Sequence, residues 1–174
     1  MRPFTAPELV LMNQLPQMDL NSLLDRMMSC ELLEEDILET LPTIGVSMVI
    51  NLSSIEEMHT PCEQEAKILS AYGIEHAHIP VFPPLGMTRR NVVQFGALLA
   101  TTQTVLVHAP TRDRIGAMVA LLAGWCWGLE AHAAIALGQR FGLESLSSLV
   151  TNKLLRAEGG EKFTLRGQEQ VEYD

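Results

Sequence analysis

Positive charge is what this sequence has little of. Its 12 Lys and Arg stand against 21 Asp and Glu, a formal net charge of −9. No stretch gathers Lys and Arg into a basic patch, which argues against nucleic acid or an anionic membrane as a main partner, because both are held by clustered cations. Cysteine is scarce as well. Cys30, Cys62 and Cys126 are odd in number and form no Cys-x-x-Cys pair. A disulfide framework and a structural zinc site are therefore not expected, and a reducing, cytoplasmic setting fits best. Long hydrophobic runs are lacking too. The longest spans residues 115–129 and falls short of the ~20 residues that a membrane span needs. The apolar stretch at 9–12 is too short for a signal peptide.

What is present is enough for a core: 174 residues, 47% of them hydrophobic, suit one domain. No internal repeat is visible. Residues 1–20, with three prolines, read as a surface arm with a short helical turn near 7–11. Residues 21–156 read as the domain, and 157–174, with Gly159-Gly160 and many charges, as a polar tail. Within the domain, Leu23, Leu24, Met27 and Met28 suit a first helix, and Ser29 caps a second over 31–41. Strands are expected at 46–52, 76–81 and 104–107. Helices follow them at 63–71, from 88 to about 99, and from 115. Helices at 130–139 and 143–155 complete the order. Alternation of strand and helix implies a mainly parallel sheet with helices on both faces.

The chain is organised around residues 104–128. Val105, Leu106 and Val107 form a short β-branched run suited to a strand buried on both faces. A polar turn, His108 to Arg114, follows, and then an apolar stretch rich in Ala, Leu and Met, which is helical. The turn thus lies between a strand's carboxyl end and a helix N-terminus. Backbone N–H groups and the helix dipole converge there, which suits an anion.

His108-Ala109-Pro110-Thr111-Arg112-Asp113-Arg114-Ile115-Gly116 resembles the signature loop of the cysteine-dependent protein-tyrosine-phosphatase superfamily. It is most similar to the bacterial phosphatase-like domain of beta-lactamase-hydrolase-like proteins, a dual-specificity-phosphatase-like branch whose loop runs roughly His-Cys-x-Ser-Gly-Asn-Arg-Val-Gly. Other segments match in the same order. Gly45-Val46-Ser47-Met48-Val49-Ile50-Asn51-Leu52 resembles that branch's Gly-x-x-x-Val-Ile-Asn-Leu strand. Gly73-Ile74-Glu75-His76-Ala77-His78-Ile79-Pro80-Val81 resembles its Gly-x-x-Tyr-x-x-Ile-Pro-Val strand. Residues 128–143 resemble its closing helix. The resemblance implies an α/β, protein-tyrosine-phosphatase-like fold with a short, mainly parallel central sheet flanked by helices. It implies no cofactor and no metal.

The resemblance also assigns roles, and the chain departs from them at the decisive position. The nucleophilic cysteine is replaced by Ala109, whose methyl group cannot attack phosphorus, so no catalytic residue is assigned. Arg114 matches the phosphate-binding arginine. With Thr111 (the family's serine), Arg112, and the amides of Ile115 and Gly116, it forms the candidate anion-binding set. Arg112 replaces a glycine, which points to backbone strain or to a loop of another shape. Pro110 removes one N–H. His108 and Asp113 are read as bracing the loop, Asp113 with a salt bridge to Arg112 in view.

No Asp or Glu lies in 80–91, where a general acid is expected. Glu56, Glu57 and His59 could reach the site, although a solvated loop tip is the blander reading. His76 and His78 share a strand face. With His59, His108 and His132 they suggest a metal site less readily than core or edge histidines. Trp125 and Trp127 read as core or as a dimer face.

The expected function is a pseudophosphatase, an interaction or regulatory module able to hold phosphate, sulfate or a phosphorylated ligand at the degraded loop. A protein partner or a second copy of the chain stays open. The alternative is a genuine protein tyrosine or dual-specificity phosphatase with its nucleophile at 109 changed to Ala.

Overall fold

The apolar run at Val105–Val107 is the middle of an inner strand. In the computed structural model, which describes residues 14–100 and 104–159, it belongs to β4 (Thr104–His108). The other strands are β1 (Met27–Cys30), β2 (Val46–Asn51) and β3 (Glu75–His78). All pair in parallel, in the order β1-β4-β2-β3. Strands with β4 and β2 inside a parallel sheet must be covered on both faces, which accounts for their nearly continuous hydrophobicity. The three expected strands lie side by side, as the alternation implied.

Seven α-helices are present among the described residues: α1 (Leu20–Leu24), α2 (Glu35–Leu38), α3 (Cys62–Ala71), α4 (Arg89–Leu99), α5 (Arg112–Trp127), α6 (Ala131–Arg140) and α7 (Ser147–Gly159). One face of the sheet joins Met48, Ile50, Val105 and Val107 to α1, α4, α5, α6 and α7 in the larger core. The other joins Val49 and Leu106 to Leu38, Leu41 and Leu69, around α2 and α3, in a smaller one. Helix α5 is buried on all sides from Arg114 to Ala123, as a helix that is apolar all round must be. It ends at Gly128, whose φ of +70° allows the N–H groups of Gly128 and Leu129 to close on the carbonyls of Gly124 and Ala123. Helices α5 and α6 meet at two glycines. A Cβ on Gly116 would stand 2.5 Å from the Gly138 carbonyl oxygen and 2.3 Å from the Leu143 nitrogen.

Residues 21–41 depart from expectation. Met27 and Met28 are not helical. They begin β1, with Met27 buried and Met28 exposed in strand alternation. Only Glu35–Leu38 forms a helix where 31–41 was expected. Methionine and glutamate favour helices locally, but the ladder edge of β4 offers Met27–Cys30 a full set of partners, and tertiary pairing overrides propensity. Of the expected arm, the described part holds a 3₁₀ turn, Leu15–Gln17, with Leu15 buried. The helical turn near 7–11 lies outside the described residues. So do 160–174 of the expected tail.

Candidate functional site

Strand β4 delivers His108 to the edge of the sheet, and α5 begins four residues later. Only Ala109, Pro110 and Thr111 link them. Ala109 is 0% exposed and its methyl belongs to the larger core. Thr111 is the N-cap of α5: its φ is −141°, and its hydroxyl accepts from the Arg114 N–H at 3.4 Å. Arg112 is already the first residue of the helix and carries no left-handed strain. The Arg112 N–H donates to Glu31 Oε1 at 3.4 Å.

Asp113 turns away from Arg112. Its carboxylate accepts from the N–H groups of Glu144 (2.7 Å) and Leu146 (3.2 Å) and from the Ser145 hydroxyl. Burial opposes the charge of Asp113, but these donors hold its carboxyl below the usual carboxylate range. It thereby fastens the start of α5 to the segment that leads into α7. Ile115 is fully buried and Gly116 lies at the α5–α6 crossing.

Arg114 is 5% exposed and is met by Glu57. Nη1 donates to Glu57 Oε2 at 2.7 Å and Nη2 to Oε1 at 2.8 Å, a two-point fork. Nη1 also donates to the Leu52 carbonyl at 3.3 Å. Nε, buried, has no partner among the described residues. Glu57 sits in a 3₁₀ turn, Ile55–Glu57, directly after β2, where it also accepts from the Ser54 N–H at 2.9 Å. The bond from Arg114 is the main reason its pKa falls from 4.5 to about 2, against the opposing effect of burial. A carboxyl held so acidic carries no proton to donate near neutral pH. Glu57, one of the residues that could reach the site from the loop after β2, is thus the ion-pair partner of the arginine and no solvated loop tip.

A second carboxylate, Glu65 on α3, lies under the same sheet edge. Its Oε1 is 2.8 Å from His108 Nε2 and 3.1 Å from His76 Nε2, and its Oε2 accepts from Asn51 Nδ2 at 2.9 Å. Because an ionised carboxylate only accepts, both imidazoles carry their proton on Nε2. Asn51 Oδ1 in turn accepts from the Ser53 N–H at 2.8 Å, and His78 Nε2 donates to the Ser53 carbonyl at 2.8 Å. Burial works against the charge of Glu65, yet the bonds from His108 and His76 hold its pKa at about 2. Register explains the cluster. Asn51 is paired with both His78 and His108, and Val49 with His76, so these side chains emerge on one face.

Glu65 was not read from the sequence, although a signal existed. It lies three and four residues before Ile68 and Leu69, on the face that α3 turns to the sheet. A cavity of about 290 Å³ opens beside these groups, with Glu65, Glu57, His59 and His108 in its lining. His132 pairs with Glu130, at 3.4 Å, in solvent. Trp127 donates to the Met18 carbonyl at 2.9 Å, and Arg89 lies 5.2 Å above the Trp125 ring. Among the described residues no group of three or more His, Cys, Asp or Glu is arranged to hold a metal ion. No helix among them is long and apolar enough to cross a membrane.

The fold recurs in solved structures. A candidate phosphatase of Neisseria meningitidis Z2491 superposes with a TM-score of 0.61 at 19% identity, covering 72% of this chain and 92% of its own. A candidate phosphatase (DUF442) of Shewanella putrefaciens CN-32 gives 0.55 at 21% identity, over 75% and 87%. Tk-PTP in its active form gives 0.54 at 16%, over 75% and 88%. The chain has a protein-tyrosine-phosphatase-like fold. No family model matches it, and no curated protein matches it in sequence. At these identities the likeness extends to the fold alone, and a phosphatase-like fold hosts chemistry only where its site supplies the groups.

Proposed function

We propose that this phosphatase-like domain is a pseudophosphatase, a module that works by binding and does not hydrolyse phosphate esters. The observation that carries the reading is the Glu57–Arg114 fork beside an alanine. The arginine that would steady a phosphoryl group already holds an internal carboxylate at two points. The position that would attack phosphorus offers a methyl group packed into the core. Transition-state stabilisation in phosphoryl transfer comes from converging donors in fixed geometry, and here the strongest donor is committed elsewhere. Three free cysteines suit a reducing, cytoplasmic setting. The other reading, an active enzyme whose nucleophile was changed to Ala109, would leave an otherwise working site. The Arg114 fork and the absence of an acid in 80–91 weigh against it.

One feature favours weak oxyanion binding by the same module. The buried Nε–H of Arg114 has no partner among the described residues, and Arg114 lies in the first turn of a helix. A phosphate or sulfate group, free or on a larger ligand, could draw on it together with the Thr111 hydroxyl.

The deciding experiment is Ala109→Cys. We expect it to hydrolyse an activated aryl phosphate at close to the background rate, because the added sulfur meets a committed arginine and no proton donor. General acid catalysis alone is commonly worth ~10²–10⁴ in rate. Turnover on the order of 1 s⁻¹ would show that only the nucleophile was lacking.

A further inference from the structure

The cavity beside the loop has a character of its own. One wall is aliphatic, built by Leu33, Leu38, Ile68 and Leu69 from the segment after β1, from α2 and from α3. The rest of the lining is largely polar, and it includes the carboxylates of Glu31, Glu57 and Glu65. Glu57 is matched by Arg114. Glu65 is not matched by any permanent cation: its partners are the Asn51 amide and two imidazoles. Glu31 adds a further carboxylate, and among the described residues no Lys or Arg lines the space. An ionised carboxylate withdrawn from water without a counter-cation is costly even when hydrogen-bonded. A concave, mostly apolar space with a few fixed polar groups is the usual form of a small-molecule site.

We propose that this cavity binds a small organic cation, a primary ammonium group on a compact apolar body. The ammonium brings Glu65 and Glu31 a permanent positive charge, which the imidazoles beside Glu65 carry only when protonated, and the aliphatic wall takes the body. An anion of the same shape would meet two carboxylates of its own sign. The occupant of the cavity is thus opposite in charge to the phosphate groups that the fold would otherwise suggest. This inference does not rest on the domain's being inactive, because no group in it is asked to do chemistry.

The test compares three probes with one ring: benzylammonium, benzyl alcohol and benzoate. Each is titrated into the full chain while the amide signals of residues 31–33, 51–53, 65–69 and 108–110 are followed. Benzylammonium should give saturable shifts there and bind about tenfold tighter than the alcohol, the equivalent of about 1.4 kcal/mol. Benzoate should give none. Glu65→Gln should weaken benzylammonium about tenfold. Ile68→Trp fills the cavity while leaving every charge in place, and should abolish saturation even where Glu65→Gln fails to fold. The proposal is overturned by benzoate binding as tightly as benzylammonium, by no saturable benzylammonium shift, or by unchanged affinity in Ile68→Trp.

Discussion

Glu57 and Glu65 are both carboxylates under the carboxyl edge of one sheet, and both are held at a pKa of about 2. Glu57 is a quarter exposed and owes its acidity first to a permanent cation, Arg114. Glu65 is more deeply buried, and burial is the largest influence on it, acting against its charge. It stays ionised because His108, His76 and Asn51 converge on it. Arg114 cannot give up its charge, so Glu57 and Arg114 depend on each other absolutely. The donors around Glu65 are adjustable, since an imidazole can move its proton to the other nitrogen and an amide can turn over. One carboxylate therefore closes a site, and the other leaves one open to a ligand.

That contrast is broken most sharply by removing each carboxylate in turn. Glu57→Ala leaves a buried guanidinium with one carbonyl partner, and should cost about 3 kcal/mol in urea unfolding. Glu65→Gln leaves partners that can rearrange, and should cost only about 1–2 kcal/mol. Equal losses, or a larger loss at Glu65, would remove the distinction between a locked pair and an adjustable one.

Acid is the next lever. Both carboxylates have folded pKa values depressed below the ordinary 4.5. Their contribution to stability is therefore fully present above about pH 4.5 and is lost as pH falls through about 2. Unfolding free energy measured across that window should fall steeply in the native chain. It should fall less in Glu57→Ala and in Glu65→Gln, because each lacks one of the two titrations. A native profile flat between pH 4.5 and 2 would show that neither pairing stabilises the fold.

The smallest expected effect sharpens the comparison from the ligand's side. Sulfate should raise the melting temperature of Glu57→Ala more than that of the native chain, because it can take the place the carboxylate leaves on Arg114. At a concentration near its dissociation constant the gain is only about 0.4 kcal/mol, within reach of calorimetry. Glu65→Gln should show no such excess. Equal sulfate responses in all three proteins would mean that Arg114 does not receive the anion.

Much of the fold was legible in local pattern. The β-branched run at Val105–Val107 and the fifteen apolar residues after Arg114 placed an inner strand and the central helix. The alternation of strand and helix gave the parallel sheet. Residues 21–41 were misread because Met27–Cys30 has no strand signal of its own and becomes one only through the free ladder of β4. At the site, the resemblance to the phosphatase signature loop singled out Ala109 and Arg114, whereas their partners could not be read.

The sequence alone determined that position 109 carries no nucleophile, that an arginine follows at the start of a buried helix, and that acidic residues outnumber basic ones. These are facts of composition and short-range order. Tertiary structure alone decided that Glu57 closes on Arg114 across 57 residues of chain, and that Glu65 gathers Asn51, His76 and His108. Periodicity tells which face a residue occupies, but the partner across that face is set by strand order and register. In a sheet ordered β1-β4-β2-β3, residues that meet are seldom neighbours in the chain. A glutamate in a loop and a glutamate on a helix look alike in sequence. What separates a lock from a binding group is whether the nearest donor bears a charge it cannot lose.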